Sequence, residues 1–263
     1  MDFGINGKVA LVAASSKGLG RAIAEELAAE GVNLVMCARG ADALRDAAES
    51  IRRTSKVTVL EVAADVSDQA GIDRVTKAAF DKFGRVDILV TNSGGPPSGP
   101  FESLTPEAWE SATRLLLYSA VGMSRAVLPG MKERRWGRIL NVTSIAVKQP
   151  IDGLMLSNSL RAAVTGFART LANEVAPFNV TVNNIMPGYT RTDRMEDLAR
   201  ATSERTGTPI SEAKAKWERE VPMGRLAEPR EFAALAAFLA SDRASYITGS
   251  SIAVDGGWIR ALL

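Results

Sequence analysis

Six short apolar runs, separated by longer helix-forming stretches, constrain this chain more than any other feature. They are "KVALVAA" (8–14), "VNLVMCA" (32–38), "KVTVLEVAA" (56–64), "VDILVTN" (86–92), "GRILNVTS" (137–144) and "NVTVNNIMP" (179–187). Runs this continuously apolar and β-branched do not alternate inward and outward residues, so they read as strands covered on both faces. The stretches 19–31, 41–53, 68–83, 105–132, 158–176 and 229–240 carry helical periodicity. A strand followed by a helix, repeated along the chain, predicts an α/β doubly wound parallel sheet, the Rossmann arrangement.

Nothing divides this pattern. With 263 residues and 46% hydrophobic content, the chain can bury roughly three quarters of its unfolded surface in one core, so residues 1–263 read as a single domain. The polar, helix-prone segment 193–224 lacks a strand and reads as an insert over one sheet edge, where a substrate lid would lie. Thirty-two basic and 30 acidic residues leave a net charge of +2 without a clustered basic face. This argues against nucleic-acid and membrane-surface binding and leaves a small-molecule or acyl substrate. One cysteine, Cys37, and no histidine predict neither a disulfide framework nor a nitrogen-sulfur metal site. No leader or apolar span long enough for a bilayer is evident, so the expected location is the cytoplasm.

The first strand runs into "AASSKGLGRAIA", a turn that opens a helix where a dinucleotide pyrophosphate would meet the helix N-terminus. Gly18 and Gly20 permit close backbone approach there. The second strand ends in "CARG". Ala38 stands where a carboxylate would grip a ribose 2′-hydroxyl, and Arg39 follows where a guanidinium can meet a 2′-phosphate. With Lys17 as a second cation, the turn predicts NADP(H) over NAD(H).

Together these segments resemble the short-chain dehydrogenase/reductase family, in particular its 3-oxoacyl-[acyl-carrier-protein] reductases, over nearly the whole chain. "AASSKGLG" resembles the family's TGxxxGxG turn, implying cofactor contacts from Ala14, Ser16, Lys17, Gly18, Leu19 and Gly20, with Ala14 a mild replacement for glycine. "AADVSD" supplies Asp65 and Val66, which by resemblance flank the adenine. "TNSGG" supplies Asn92 and Gly94, and "PGYTRT" supplies Pro187, Gly188, Thr190 and Thr192 on the nicotinamide side. "SSIAVDGG" is similar to the family's last strand, bringing the expected sheet to about seven.

The catalytic positions depart from that pattern. The family's serine is present as Ser144, but thirteen residues later Ser157 stands at the tyrosine position. Arg161 stands at the lysine position, and Leu116 where the water-holding asparagine is expected, with Ser119 nearby. An arginine can bind ribose hydroxyls but stays protonated and relays no proton. A serine is a far weaker acid than a phenol, with its reference pKa of about 10, and has a shorter reach. A water bridging Ser157 to substrate would replace the phenol, and Leu116 is expected to block the usual water position. A missing general acid typically costs about 10²- to 10⁴-fold, so a slow reductase remains possible beside a cofactor-binding protein without turnover or a non-redox enzyme.

Four further groups come into question as donors. Lys148 lies on the loop above the strand ends, while Asp152 reads as a base or as a helix N-cap. Tyr189 lies in the nicotinamide loop, either poised to donate or packed under the insert; Tyr118 reads as core or interface. Apolar residues on the outer helices, namely Leu115, Leu116, Leu117, Val121, Val164, Phe167 and Leu171, together with the ending "GGWIRALL", predict a homotetramer.

Overall fold

The apolar runs form β1 (Val9–Ala13), β2 (Asn33–Ala38), β3 (Val59–Ala63), β4 (Ile88–Thr91), β5 (Gly137–Val142) and β6 (Val180–Pro187), and the final strand is β7 (Ser251–Val254). The structure, a computed structural model, describes residues 2–262. The strands make one parallel sheet in the order β3-β2-β1-β4-β5-β6-β7. The expected doubly wound α/β sheet of seven strands is therefore what the chain adopts.

Successive strand residues feed two cores. Ala10, Val12, Leu34, Met36, Val90 and Leu140 pack on one face beneath α1 (Gly18–Ala29), α2 (Ala41–Thr54) and α9 (Pro229–Ala240). Val9, Leu11, Val35, Leu89, Ile139 and Val182 pack on the other beneath α3 (Gln69–Phe83), α5 (Ser119–Glu133) and α6 (Met155–Val175). This double coverage is why the strands read as unbroken apolar runs. Cys37 belongs to the second core, and burial pushes its thiol up to about 12, so it stays a protonated, unreactive hydrophobe.

A row of polar side chains crosses the otherwise apolar sheet. Thr91 Oγ1 donates to Asn141 Oδ1 at 2.7 Å, Asn141 Nδ2 to Asn184 Oδ1 at 3.2 Å, and Asn184 Nδ2 to Ser251 Oγ at 3.0 Å. These bonds join β4, β5, β6 and β7 at matched register positions. They tie the carboxyl end of β4, from which Asn92 rises into the site, to its neighbouring strands.

Two expectations about helices change. The stretch 105–132 is not one regular helix: α4 (Pro106–Thr113) passes through a π-helical turn, Arg114–Tyr118, before α5. Ser119 Oγ donates to Leu115 O at 2.6 Å across that turn, supplying a partner to a carbonyl that the widened spiral displaces. The helix expected over 158–176 begins earlier, at Met155. Ser157 and Arg161 are thus one turn apart on a single helix face.

The insert folds into α7 (Asp193–Thr206) and α8 (Ile210–Glu220). Tyr189 stacks on Trp217 of α8, with ring centroids 5.6 Å apart, and meets Trp258 edge-on at 5.9 Å. Its hydroxyl donates to Glu220 Oε2 at 3.1 Å.

Candidate active site

The sheet order reverses direction at β1, so a crevice opens beyond the carboxyl ends of β1 and β4. The turn from β1 to α1 forms one wall. Gly20 touches the turn so closely that an added Cβ would stand 2.3 Å from Ala14 O and 2.7 Å from Asn92 Nδ2. Asn92 Nδ2 also donates to Ala14 O at 3.4 Å, tying β4 to the turn. No side chain caps α1, which leaves the first-turn N–H groups of Gly18, Leu19 and Gly20 free for an anion. Ser16 and Ser15 lie in the same turn, the latter buried with its hydroxyl donating to Val12 O at 2.9 Å.

Ala14 is more than the mild substitution expected. It holds φ at +48°, the left-handed region, where a Cβ crowds the backbone. Lys17 does not stand free either: Nζ pairs with Asp193 Oδ2 at 3.1 Å, both side chains being mostly exposed. The glycine turn and the start of α7 are thereby joined, and Thr192 lies against Gly18. Arg39 is exposed at the end of β2 and makes no ion pair among the described residues. Asp65 Oδ1 accepts from Ser67 N at 3.0 Å, while Val66 is buried beside it.

On the far side, Ser144 follows β5 and its Oγ accepts from Ala146 N at 3.1 Å. Arg161 Nη1 donates to Val142 O at 2.8 Å, and its Nε donates to Ser157 Oγ at 3.2 Å. Because Ser157 accepts that bond, its own proton stays available outward. Burial, with the nearby Arg194 charge second, pushes the Arg161 guanidinium down to about 10, so it remains a cation at neutral pH. Pro187, Gly188, Thr190 and Thr192 close this side, and an added Cβ on Gly188 would lie 2.6 Å from Asp255 Cα. Gly94 is exposed at the mouth.

Asn92, Leu116, Ser119, Thr143 and Arg161 line a cavity of about 10 Å³, the size of one water, with polar partners on several sides. Leu116 itself is buried against Leu156 and Leu160. It and Val164, which also lines the cavity, face inward, so both leave the set of outer apolar residues.

The alternative donors fall in different places. Asp152 is exposed and does not cap α6, whose N-cap is Leu154. Lys148 is exposed. Tyr189 is committed to Glu220, and burial first, then that carboxylate, raises its pKa far above the usual tyrosine value. It packs under the insert. Tyr118 is 60% exposed, on the outer surface rather than in the core.

Two residues escaped sequence reading. Arg194, in the first turn of α7, donates from Nη2 to Pro96 O at 3.2 Å and lies against Gly95. Its only sequence signal is its place just beyond "PGYTRT". Glu220 had none, since its role depends on the fold of α8.

The glycine turn, the uncapped helix and the switch-point crevice define a dinucleotide-binding protein of the doubly wound class, and the residues present fit such a cofactor. Residues 13–259 match the family described as enoyl-(acyl carrier protein) reductase. The chain is 37% identical to the 3-oxoacyl-[acyl-carrier-protein] reductase of Vibrio cholerae, covering 96% of this chain and 98% of that protein. It is 36% identical to a D-beta-hydroxybutyrate dehydrogenase of Cupriavidus necator, covering 97% and 99%. The structure of L-sorbose reductase from Gluconobacter frateurii, complexed with NADPH and L-sorbose, superposes with a TM-score of 0.95 at 38% identity over all of both chains. The chain belongs to the short-chain dehydrogenase/reductase family.

Proposed function

We propose that this chain is an NADP(H)-dependent oxidoreductase acting on a carbonyl group or the matching alcohol, through a site in which Ser157, Arg161 and Leu116 replace the family's tyrosine, lysine and asparagine. The observation that carries the reading is the bonded pair Ser157 and Arg161, with Arg161 also lining a water-sized cavity beside Asn92 at the end of β4. The NADPH complex of the sorbose reductase supports the choice of cofactor, and exposed Arg39 suits a 2′-phosphate.

Bound NADPH supplies a hydride for the carbonyl carbon. Gly18, Leu19 and Gly20 hold its phosphates by backbone N–H groups, while Ser16, Lys17, Asp65, Val66, Asn92, Gly94 and the 187–192 loop shape the rest of the cradle. Ser144 Oγ donates to the substrate oxygen and polarises the carbonyl. Arg161 holds its positive charge beneath the developing negative oxygen and, by donating to Ser157 Oγ, turns that hydroxyl's proton outward. The proton that completes the alcohol is given by Ser157 Oγ–H to the developing alkoxide, and Ser157 regains a proton from solvent entering the open crevice. The 193–224 insert acts as the lid, joined to the turn through Lys17 and Asp193.

NADPH oxidation with a panel of ketones and acyl thioesters tests the reading, together with Ser144→Ala, which should lower any turnover. Ser157→Tyr with Arg161→Lys should keep NADPH binding but raise ketone turnover less than about tenfold. A gain of about a hundredfold or more, the scale of a restored general acid, would show an ordinary site with two lesions instead of a refitted one. A cofactor-binding protein without turnover is the second reading, favoured by Tyr189 being tied to Glu220 and Tyr118 facing outward.

The proposal extends to a cytoplasmic homotetramer. Tyr118 lies in an outer groove with Asp68, Asp73, Arg114 and Arg125, opposite charges that suit self-pairing about a two-fold axis. A monomer in sedimentation at micromolar concentration would count against it.

A further inference from the structure

Of the two cations offered to a 2′-phosphate, one already has a counter-ion. Lys17 Nζ lies 3.1 Å from Asp193 Oδ2, whereas Arg39 makes no ion pair among the described residues. The backbone brings both cations to one edge of the sheet. Ala13 and Cys37 are register partners on β1 and β2, and Ser15 N donates to Cys37 O at 3.1 Å. Lys17 follows Ser15, and Arg39 follows Cys37, each by two residues. A carboxylate from the 193–224 insert therefore stands against a group that the cofactor turn offers to phosphate.

The pair is built to exchange. The Lys17 and Asp193 side chains are 68% and 69% exposed, so water solvates both charges and the bond between them is weak. A phosphate monoester carries close to two negative charges near neutral pH and three acceptor oxygens, and attracts an ammonium more strongly than a single carboxylate does. Asp193 does not depend on Lys17 for a favourable position. It is the first residue of α7, which no side chain caps, and a carboxylate in a first turn is favoured by the unpaired N–H groups and the helix dipole. Arg194 Nη2, bonded to Pro96 O at 3.2 Å, continues to hold that turn when Lys17 leaves.

We propose that Asp193 is a specificity residue for the cofactor: it competes with the 2′-phosphate for Lys17, so that the chain prefers NADP(H) less strongly than its two cations allow. NAD(H), with a ribose hydroxyl in place of that phosphate, leaves the pair intact. The inference deepens the NADP(H) reading and rests on it.

Calorimetric titration of NADPH and NADH into the native chain, Asp193→Asn, Lys17→Met and the double variant, at one ionic strength, tests the competition. Asp193→Ser removes the same charge by a second route, and melting curves confirm that every variant is folded. Asp193→Asn should bind NADPH about two- to fivefold more tightly, the range of an exposed pair, and bind NADH as the native chain does. Lys17→Met should weaken NADPH binding, and adding Asp193→Asn to it should bring no gain, because the competition runs through the ammonium. Unchanged or weaker NADPH binding in both Asp193→Asn and Asp193→Ser overturns the inference. So does an equal gain with NADH, which would make the pair an obstacle to any dinucleotide. A gain that survives in the Lys17→Met background overturns it too, since Asp193 would then repel the phosphate directly. A native chain that binds both cofactors equally, beside an Asp193→Asn variant that prefers NADPH, would retain the inference and remove the native preference. A native preference that Asp193→Asn leaves unaltered would do the reverse.

Discussion

Replacing Ala14 by glycine should stabilise the protein, although it removes a methyl group from a half-buried turn. Ala14 holds φ at +48° between β1 and α1, a conformation that costs an L-residue about 1–2 kcal/mol. Glycine removes that cost but enlarges the unfolded ensemble by about 0.4–1 kcal/mol. The difference is a net gain of roughly 0.5–1 kcal/mol, which for a chain of this size corresponds to a Tm rise of about 1–4 °C. Ala14→Val, with a branched Cβ forced into the same region, should lower stability by about 1 kcal/mol or more. Calorimetric melts without ligand measure both, and titration with NADPH shows whether the relaxed turn still binds. Ala14 O keeps its bond from Asn92 in either variant, so the comparison isolates backbone strain. A Tm that falls or does not move on Ala14→Gly refutes the reasoning, because it would mean that the positive φ carries no cost here.

Gly20→Ala should act oppositely: its Cβ would meet Ala14 O at 2.3 Å, and forced overpacking of about 1–3 kcal/mol should appear as a lower Tm and weaker NADPH binding by titration. Asn141→Leu should cost about 2–4 kcal/mol in urea unfolding, since Thr91 and Asn184 each lose a buried partner; an unchanged midpoint would show that the polar row stabilises nothing. The raised pKa of Tyr189 gives a signed pH effect. The folded phenol keeps its proton after the unfolded one, with its ordinary value of about 10, has released it. Its contribution is therefore complete below about pH 10 and is lost as pH rises past that value toward the folded one. Tyr189→Phe should flatten this alkaline decline in melting experiments between pH 8 and 11.

The strands were legible because being covered on both faces leaves an apolar signature, which polar residues within the sheet interrupt only briefly, as at Asn141 and at the adjacent Asn183 and Asn184. The cofactor turn was legible because its chemistry is local: Gly18, Gly20 and Arg39 act within a few residues of a strand end. The conformation of Ala14 was not, because nothing in alanine's composition announces a left-handed backbone. The π-helical turn at Arg114–Tyr118 escaped because its apolar residues fit an ordinary helix equally well. Arg194 was hidden among many charges in the 193–224 insert; only the fold brings its guanidinium to Gly95 and Pro96.

Under the proposed function, Leu116, Ser157 and Arg161 work as one arrangement of space and charge. The Arg161 guanidinium bonds to Ser157 Oγ one turn away on the same helix. A tyrosine placed at 157 alone would meet that guanidinium, whereas a lysine at 161 alone would abandon Ser157 and place a compact ammonium where a fork now reaches Val142 O. Leu116 supplies an apolar wall to the same cavity that Arg161 and Ser119 line with polar groups. The bond between Ser157 and Arg161 is the physical basis for expecting non-additive effects when these two positions are substituted singly and together.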